Sequence, residues 1–172
     1  MRKWILCAAV VSLAAAMALG QAAMGTRPGR SLVPTETAAK NSVEYLFPEQ
    51  VTAPANQPTT VAMHFRVAAG MHINSHTPKD EFLIPTGLSF PEGAGVRLEG
   101  VTYPAGAEIV LPLDPKEKLS VYSGDFVLLA RIVAAAGDHL VEAKLRYQAC
   151  DNNACMPPRT LIVAIDVIGT RN

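Results

Sequence analysis

An all-β fold, built as a two-sheet antiparallel sandwich, is what this sequence predicts, and three observations predict it. Apolar residues recur with period two through the stretches that follow residue 42. Past residue 20, no segment keeps a 3.6-residue apolar period over three turns. Pro- and Gly-containing turns separate the periodic stretches at short intervals. At 172 residues, 49% of them apolar, the chain can build one good core but not two comfortable ones, so a single folded domain is expected.

The elements follow in order. Met1-Arg2-Lys3, an apolar run from Trp4 to Leu19, and Gly20-Gln21-Ala22-Ala23 supply the basic, hydrophobic and small-residue regions of a secretory signal. Residues 1–20 are therefore read as a signal peptide, cleaved between Gly20 and Ala23. The rival, an uncleaved anchor, has an apolar run of about 16 residues against the roughly 20 that a spanning helix needs, so no membrane span is expected in the mature chain. Residues 21–41 mix Pro, Gly and polar side chains without a period, as a flexible leader does, and 42–170 are left for the sandwich.

Within that stretch, Thr60 to Val67 places Val61, Met63, Phe65 and Val67 on one face and Ala62, His64 and Arg66 on the other, the pattern of a half-buried strand. His139 to Gln148 repeats it, with Val141, Ala143, Leu145 and Tyr147 opposed to Glu142, Lys144, Arg146 and Gln148. Phe126 to Val133 and Leu161 to Val167 are more uniformly apolar and suggest inner strands covered on both faces. Gly87 to Phe90, Val96 to Tyr103 and Leu119 to Tyr122 are shorter candidates, separated by Pro91-Glu92-Gly93, Pro104-Ala105-Gly106 and Ser123-Gly124-Asp125. About seven to nine short strands with prolines between most of them point to an immunoglobulin-like sandwich.

Charge narrows the function classes. Lys plus Arg and Asp plus Glu both count 15, and no basic run tracks a phosphate backbone, so a nucleic-acid partner is not expected. Removal of the signal takes away Arg2, Lys3 and Cys7, leaving 13 basic against 15 acidic residues and two cysteines. In an exported chain those two, Cys150 and Cys155, can close on each other.

They lie in Tyr147-Gln148-Ala149-Cys150-Asp151-Asn152-Asn153-Ala154-Cys155-Met156-Pro157-Pro158, a strand-to-strand loop. Asp and Asn tolerate tight turns and the two prolines restrict the backbone beyond them, so the sulfurs can be held within bonding distance. Two readings stay open from the residues alone. A structural staple closing a six-residue ring would restrict the unfolded chain by only ~2 kcal/mol, and the alternative is a redox-active dithiol. Zinc would need two further ligands, which the four histidines do not supply at finger spacing, and no metal or other cofactor is expected. Capture of a soft metal such as copper by Met156, Met71, His72 and the thiols is chemically suited but not singled out by spacing.

The run Tyr-Gln-Ala-Cys, then Cys-Met-Pro-Pro, together with Gly70-Met71-His72-Ile73-Asn74-Ser75 and Pro85-Thr86-Gly87-Leu88, resembles the N-terminal periplasmic domain of the thiol:disulfide interchange protein DsbD over roughly residues 42 to 168. The resemblance implies an immunoglobulin-like fold and a dithiol that accepts electrons from one thioredoxin-like protein and passes them to another. On that basis Cys150 and Cys155 are the exchanging pair, and Cys155 is the sulfur attacked first. His72 and Asn74 fall on the segment that runs beside the cysteine loop. With Tyr147, Met156 and Pro157 they are the candidates for shaping the site or meeting a partner. His64 and His76 are read as solvated. Relatives carry a shielding aromatic just before the strand matching Leu119 to Tyr122; here the stretch is Leu113-Asp114-Pro115-Lys116-Glu117-Lys118, leaving Leu113 or Tyr122 as substitutes. The chain stops at Asn172, so the thioredoxin-like partners are expected on separate polypeptides. The rival function is a binding module whose loops, such as Met71 to Pro78, recognise a protein or ligand while the disulfide stays inert.

Overall fold

The computed structural model describes residues 41–47, 50–111 and 114–171, without the side chains of 111–117. The described residues all belong to one unit, Thr37–Asn172. The signal and all but the last residue of the leader lie outside them, as does Leu113.

Every regular element among the described residues is a strand. In chain order they are β1 Val43–Leu46, β2 Gln50–Pro54, β3 Pro58–Val67, β4 His72–Asn74, β5 Gly87–Ser89, β6 Val96–Thr102, β7 Ala107–Leu111, β8 Asp114–Tyr122, β9 Asp125–Ala134, β10 Gly137–Tyr147, β11 Ala149–Cys150 and β12 Arg159–Thr170. They form three four-stranded sheets, ordered β1-β3-β9-β6, β2-β12-β10-β5 and β11-β4-β8-β7. All pairings are antiparallel except β2 with β12, which is parallel. The fold is an immunoglobulin-like β-sandwich.

Period-two sequence builds the two large sheets. On β3, Val61, Met63, Phe65 and Val67 are buried while Ala62, His64 and Arg66 face solvent. On β10, Val141, Ala143, Leu145 and Tyr147 are buried and Glu142, Lys144 and Arg146 are exposed. Facing sets from the two sheets meet in one core, where complete removal of each large apolar side chain from water contributes roughly 1.5–3 kcal/mol. A row of aromatic rings extends that core toward the third sheet. Tyr45 packs on Phe65 at 5.3 Å, Phe65 on Phe126 at 5.3 Å, and Phe126 on Tyr122 of β8 at 5.1 Å.

The uniformly apolar stretches behave differently from expectation. β9 and β12 are central in their sheets, yet each buries one face only: Leu129 is 40% exposed and Ile162 51%. None of the described residues covers the outer faces there, so apolar residues on them record β propensity and not burial. The strand count also exceeds seven to nine, because β4 and β11 are two or three residues long and too short to show a period.

One close approach fixes how β12 ends. A Cβ built on Gly169 would sit 1.8 Å from the carbonyl oxygen of Ala135, in the β9–β10 connection, so only glycine fits there.

Candidate functional site: the cysteine hairpin

The site is built on the third sheet, and its register determines what meets the cysteines. Ala149 pairs with Ile73 and Cys150 with His72; on the other side of β4, Ile73 pairs with Tyr122 and Asn74 with Val121. Cross-strand partners share a face and successive residues alternate. Ile73, Ala149 and Tyr122 therefore face the main core, which includes all three. Cys150, His72, Asn74 and Val121 share the opposite face, where they too are buried. Tyr122 does not serve as a shield over the disulfide. It stands on the wrong face, packed on Phe126, with its hydroxyl donating to the Pro104 carbonyl.

The hairpin itself is closed by backbone and side chain together. The amide of Asp151 donates to the carbonyl of Ala154 at 3.0 Å, and the amide of Met156 to the carbonyl of Ala149 at 2.8 Å. The Asp151 carboxylate accepts from the amides of Asn153 and Ala154 at 2.7 and 2.8 Å, an Asx turn. Those bonds hold its carboxyl below the usual carboxylate range. The chain thus returns with Cys155 opposite Cys150, the Cα atoms 3.9 Å apart and the sulfurs bonded.

The two halves of the disulfide differ in access. Cys150 is 1% exposed, whereas Cys155 and its neighbours Met156 and Pro157 are open to solvent.

Gln148 ties this hairpin to its surroundings. Its amide oxygen accepts from the side-chain nitrogen of Asn74 at 3.1 Å and from the backbone of Ile84 at 3.2 Å, while its amide nitrogen donates to the carbonyl of Met156 at 3.2 Å. One side chain thereby joins β4, the 75–86 loop and the outgoing arm of the cysteine hairpin. That loop is anchored by its own bonds, with Thr86 donating to the Asn74 carbonyl at 2.6 Å and Ser75 meeting Ser120 at 2.9 Å. Lys79 pairs with Glu108 of β7 at its surface. Phe82, near its tip, is 84% exposed.

The structure distributes the sequence candidates unevenly. Cys150, Cys155, His72 and Asn74 come together, with Met156 and Pro157 at the open rim. Tyr147 is 1% exposed within the main core, and burial pushes its hydroxyl pKa up. His72 is buried with no hydrogen-bond partner at Nε2, and Asn74 none at Oδ1. Burial lowers the His72 pKa from its ordinary 6.5, and the Asp151 carboxylate opposes that shift more weakly. His64 is exposed on β3. His76 is exposed as well, but it stacks on Tyr103 at 3.7 Å and bonds the Thr86 carbonyl at 2.9 Å. Sequence reasoning passed over Gln148, which it placed on a polar strand face, and Asp151, which it took only as a turn former. Among the described residues no group of three or more His, Cys, Asp and Glu side chains gathers as a metal site would.

Comparison with known proteins gives this geometry a context. Among solved structures, the chain is similar to the N-terminal periplasmic domain of ScsB from Proteus mirabilis, at 9% identity and a TM-score of 0.50, with 72% of this chain and 44% of that one covered. It thus spans less than half of that chain. It is also similar to the Neisseria meningitidis DsbD N-terminal domain in the reduced form, at 18% identity and a TM-score of 0.45, with 67% of this chain and 81% of that one covered. No curated protein matches the sequence. The model of the family described as thiol:disulfide interchange protein DsbD, N-terminal, matches residues 42–166, which include both cysteines and every strand from β1 to most of β12. The chain belongs to the DsbD N-terminal domain family.

Proposed function

We propose that this chain is an exported thiol-disulfide exchange domain that relays reducing equivalents between thioredoxin-like proteins on separate chains. The observation that carries the reading is a disulfide with one buried sulfur-bearing residue, Cys150, and one exposed, Cys155, inside the stretch that the family model matches. Residues 1–20 act as the signal, 21–41 as a leader, and 42–170 as the exchanging domain, in the periplasm.

The chemistry follows from access. A partner thiolate attacks Cys155 Sγ, the Cys150–Cys155 bond breaks, and a mixed disulfide forms through Cys155 while Cys150 leaves with the electron pair. A second partner thiol resolves the adduct and releases the domain as a dithiol. Reduced, the domain runs the same steps toward an acceptor disulfide. Met156 and Pro157 line the rim that a partner must touch, and Asn74 and Gln148 hold the hairpin against β4. No Lys or Arg lies in the loop, so docking, more than thiolate activation, controls which partner reacts.

The test is the reduction potential of the pair, measured by equilibrating the domain in thiol redox buffers and trapping free thiols. A value of roughly −120 to −270 mV supports the relay. A value below about −300 mV marks a structural bond and moves the reading to a binding module.

A further inference from the structure

The exchange reaction leaves one step unaccounted for. When the reduced domain has attacked an acceptor through Cys155, Cys150 must lose its proton before it can attack Cys155 Sγ and release the acceptor. Cys150 is 1% exposed, so neither water nor hydroxide reaches it readily, and the hairpin carries no basic side chain.

We propose that His72 is the general base that takes this proton. This inference rests on the exchange reading above and names how the buried cysteine is activated within it. His72 is the cross-strand partner of Cys150, which places their Cβ atoms roughly 4.5–5.5 Å apart on one face of the sheet. Its Nε2 is buried without a hydrogen-bond partner. An orphaned buried polar atom is costly in the state that leaves it unpaired, and a state that pairs it is favoured. In the disulfide form Cys150 has no hydrogen to offer; in the dithiol form it carries an S–H on the face that His72 shares. The orphan of the oxidised state is thereby the acceptor of the reduced state.

The protonation state fits the task. Burial favours the neutral imidazole of His72, in which one ring nitrogen keeps a lone pair and can take a proton. The Asp151 carboxylate acts on it from the hairpin and stabilises the imidazolium that forms on proton uptake. Across β4, the strand β8 presents Val121 and Tyr122, and the Tyr122 hydroxyl is engaged with Pro104 and the His76 amide, so the residues of β8 paired with β4 bring no second charge.

The step balances. The proton of the Cys150 thiol moves to His72 Nε2, and the Cys150 thiolate attacks Cys155 Sγ. The bond between Cys155 and the acceptor sulfur breaks, with the electron pair leaving on the acceptor. The domain is oxidised by two electrons and the acceptor disulfide reduced by two, and imidazolium returns its proton to the departing thiolate or to solvent.

The experiment uses the reduced domain and the aromatic disulfide 5,5′-dithiobis(2-nitrobenzoate). Attack by Cys155 releases a first thionitrobenzoate, and closure by Cys150 releases the second. The inference expects the second phase of the unaltered domain to fall as the pH drops through and below the histidine range, and His72→Gln to slow that phase about tenfold or more at pH 7. The first phase changes less than about twofold, because Cys155 is exposed and its reaction does not pass through His72. A second phase that follows hydroxide alone from pH 5 to 9 in the unaltered domain overturns the proposal without any variant. Equal slowing of both phases in His72→Gln overturns it too, because that reports a structural role. Failure of the exchange reading itself shows elsewhere, as a reduction potential below about −300 mV.

Discussion

Replacing Gln148 with Ala removes three hydrogen bonds at once, to the Asn74 side chain, the Ile84 backbone and the Met156 carbonyl. A net ~1 kcal/mol for each gives about 3 kcal/mol if nothing takes their place. The Met156 end is open to solvent, so water replaces that bond at little loss. Asn74 is 0% exposed, so water does not reach it. It keeps one bond, to the Ile84 carbonyl at 3.0 Å, and its Oδ1 is already without a partner. The remaining cost is about 2 kcal/mol. For a sandwich of roughly 130 residues, whose unfolding entropy is near 0.27 kcal/mol/K, that lowers Tm by about 7 °C. Differential scanning calorimetry of the disulfide form checks it. The bond to Met156 holds only the outgoing arm of the hairpin and water takes its place, so the reduction potential moves by less than about 10 mV. A Tm change below about 2 °C refutes the account of Gln148 as the tie between hairpin and sheet.

Three further outcomes are expected. Gly169→Ala drives a methyl group to 1.8 Å from the Ala135 carbonyl oxygen, so the backbone must shift and Tm falls by more than in Gly87→Ala, where a Cβ meets nothing within 4 Å. The His72 pKa is lowered in the fold, so the stability linked to its neutral form is complete above pH 6.5 and lost as pH falls from there toward the folded-state value. Tm of the oxidised domain should therefore drop between pH 7 and 5, and His72→Gln should flatten that part of the curve. Asp125→Asn breaks a two-pronged pair with Arg66, at 2.6 and 2.8 Å, but both partners are more than half exposed. It should change Tm by less than about 2 °C, and by less still at high salt.

How far the sequence carried can be traced through individual residues. Val61, Met63, Phe65 and Val67 announced β3 because one face of that strand is wet, and alternation is visible only when the two faces differ. Phe126 to Val133 and Leu161 to Val167 misled because Leu129 and Ile162 are apolar on a wet face, and composition does not say which side has a neighbour. The site was legible in its covalent part and much less so in its setting. Cys150 and Cys155 stand out by spacing, but the burial of one and exposure of the other depend on a register set by β4, three residues long. His72 was noticed for its place beside the loop, while the isolation of its Nε2 comes from packing that no local pattern records. Gln148 looked like the last polar residue of an alternating strand. It sits where the chain leaves β10 for β11 and changes sheets, and there its amide turns inward to three partners.

The central claim is that exchange proceeds through Cys155 with a thioredoxin-like partner, and one measurement meets it directly. The oxidised domain is mixed with a thioredoxin whose resolving cysteine has been changed to Ser, the reaction is quenched with acid, and the adduct is mapped by peptide mass spectrometry. The account predicts a mixed disulfide at Cys155, with Cys150 left as a free thiol and adduct at Cys150 about tenfold or more rarer, as its burial requires. No adduct, or an adduct carried mainly by Cys150, contradicts it.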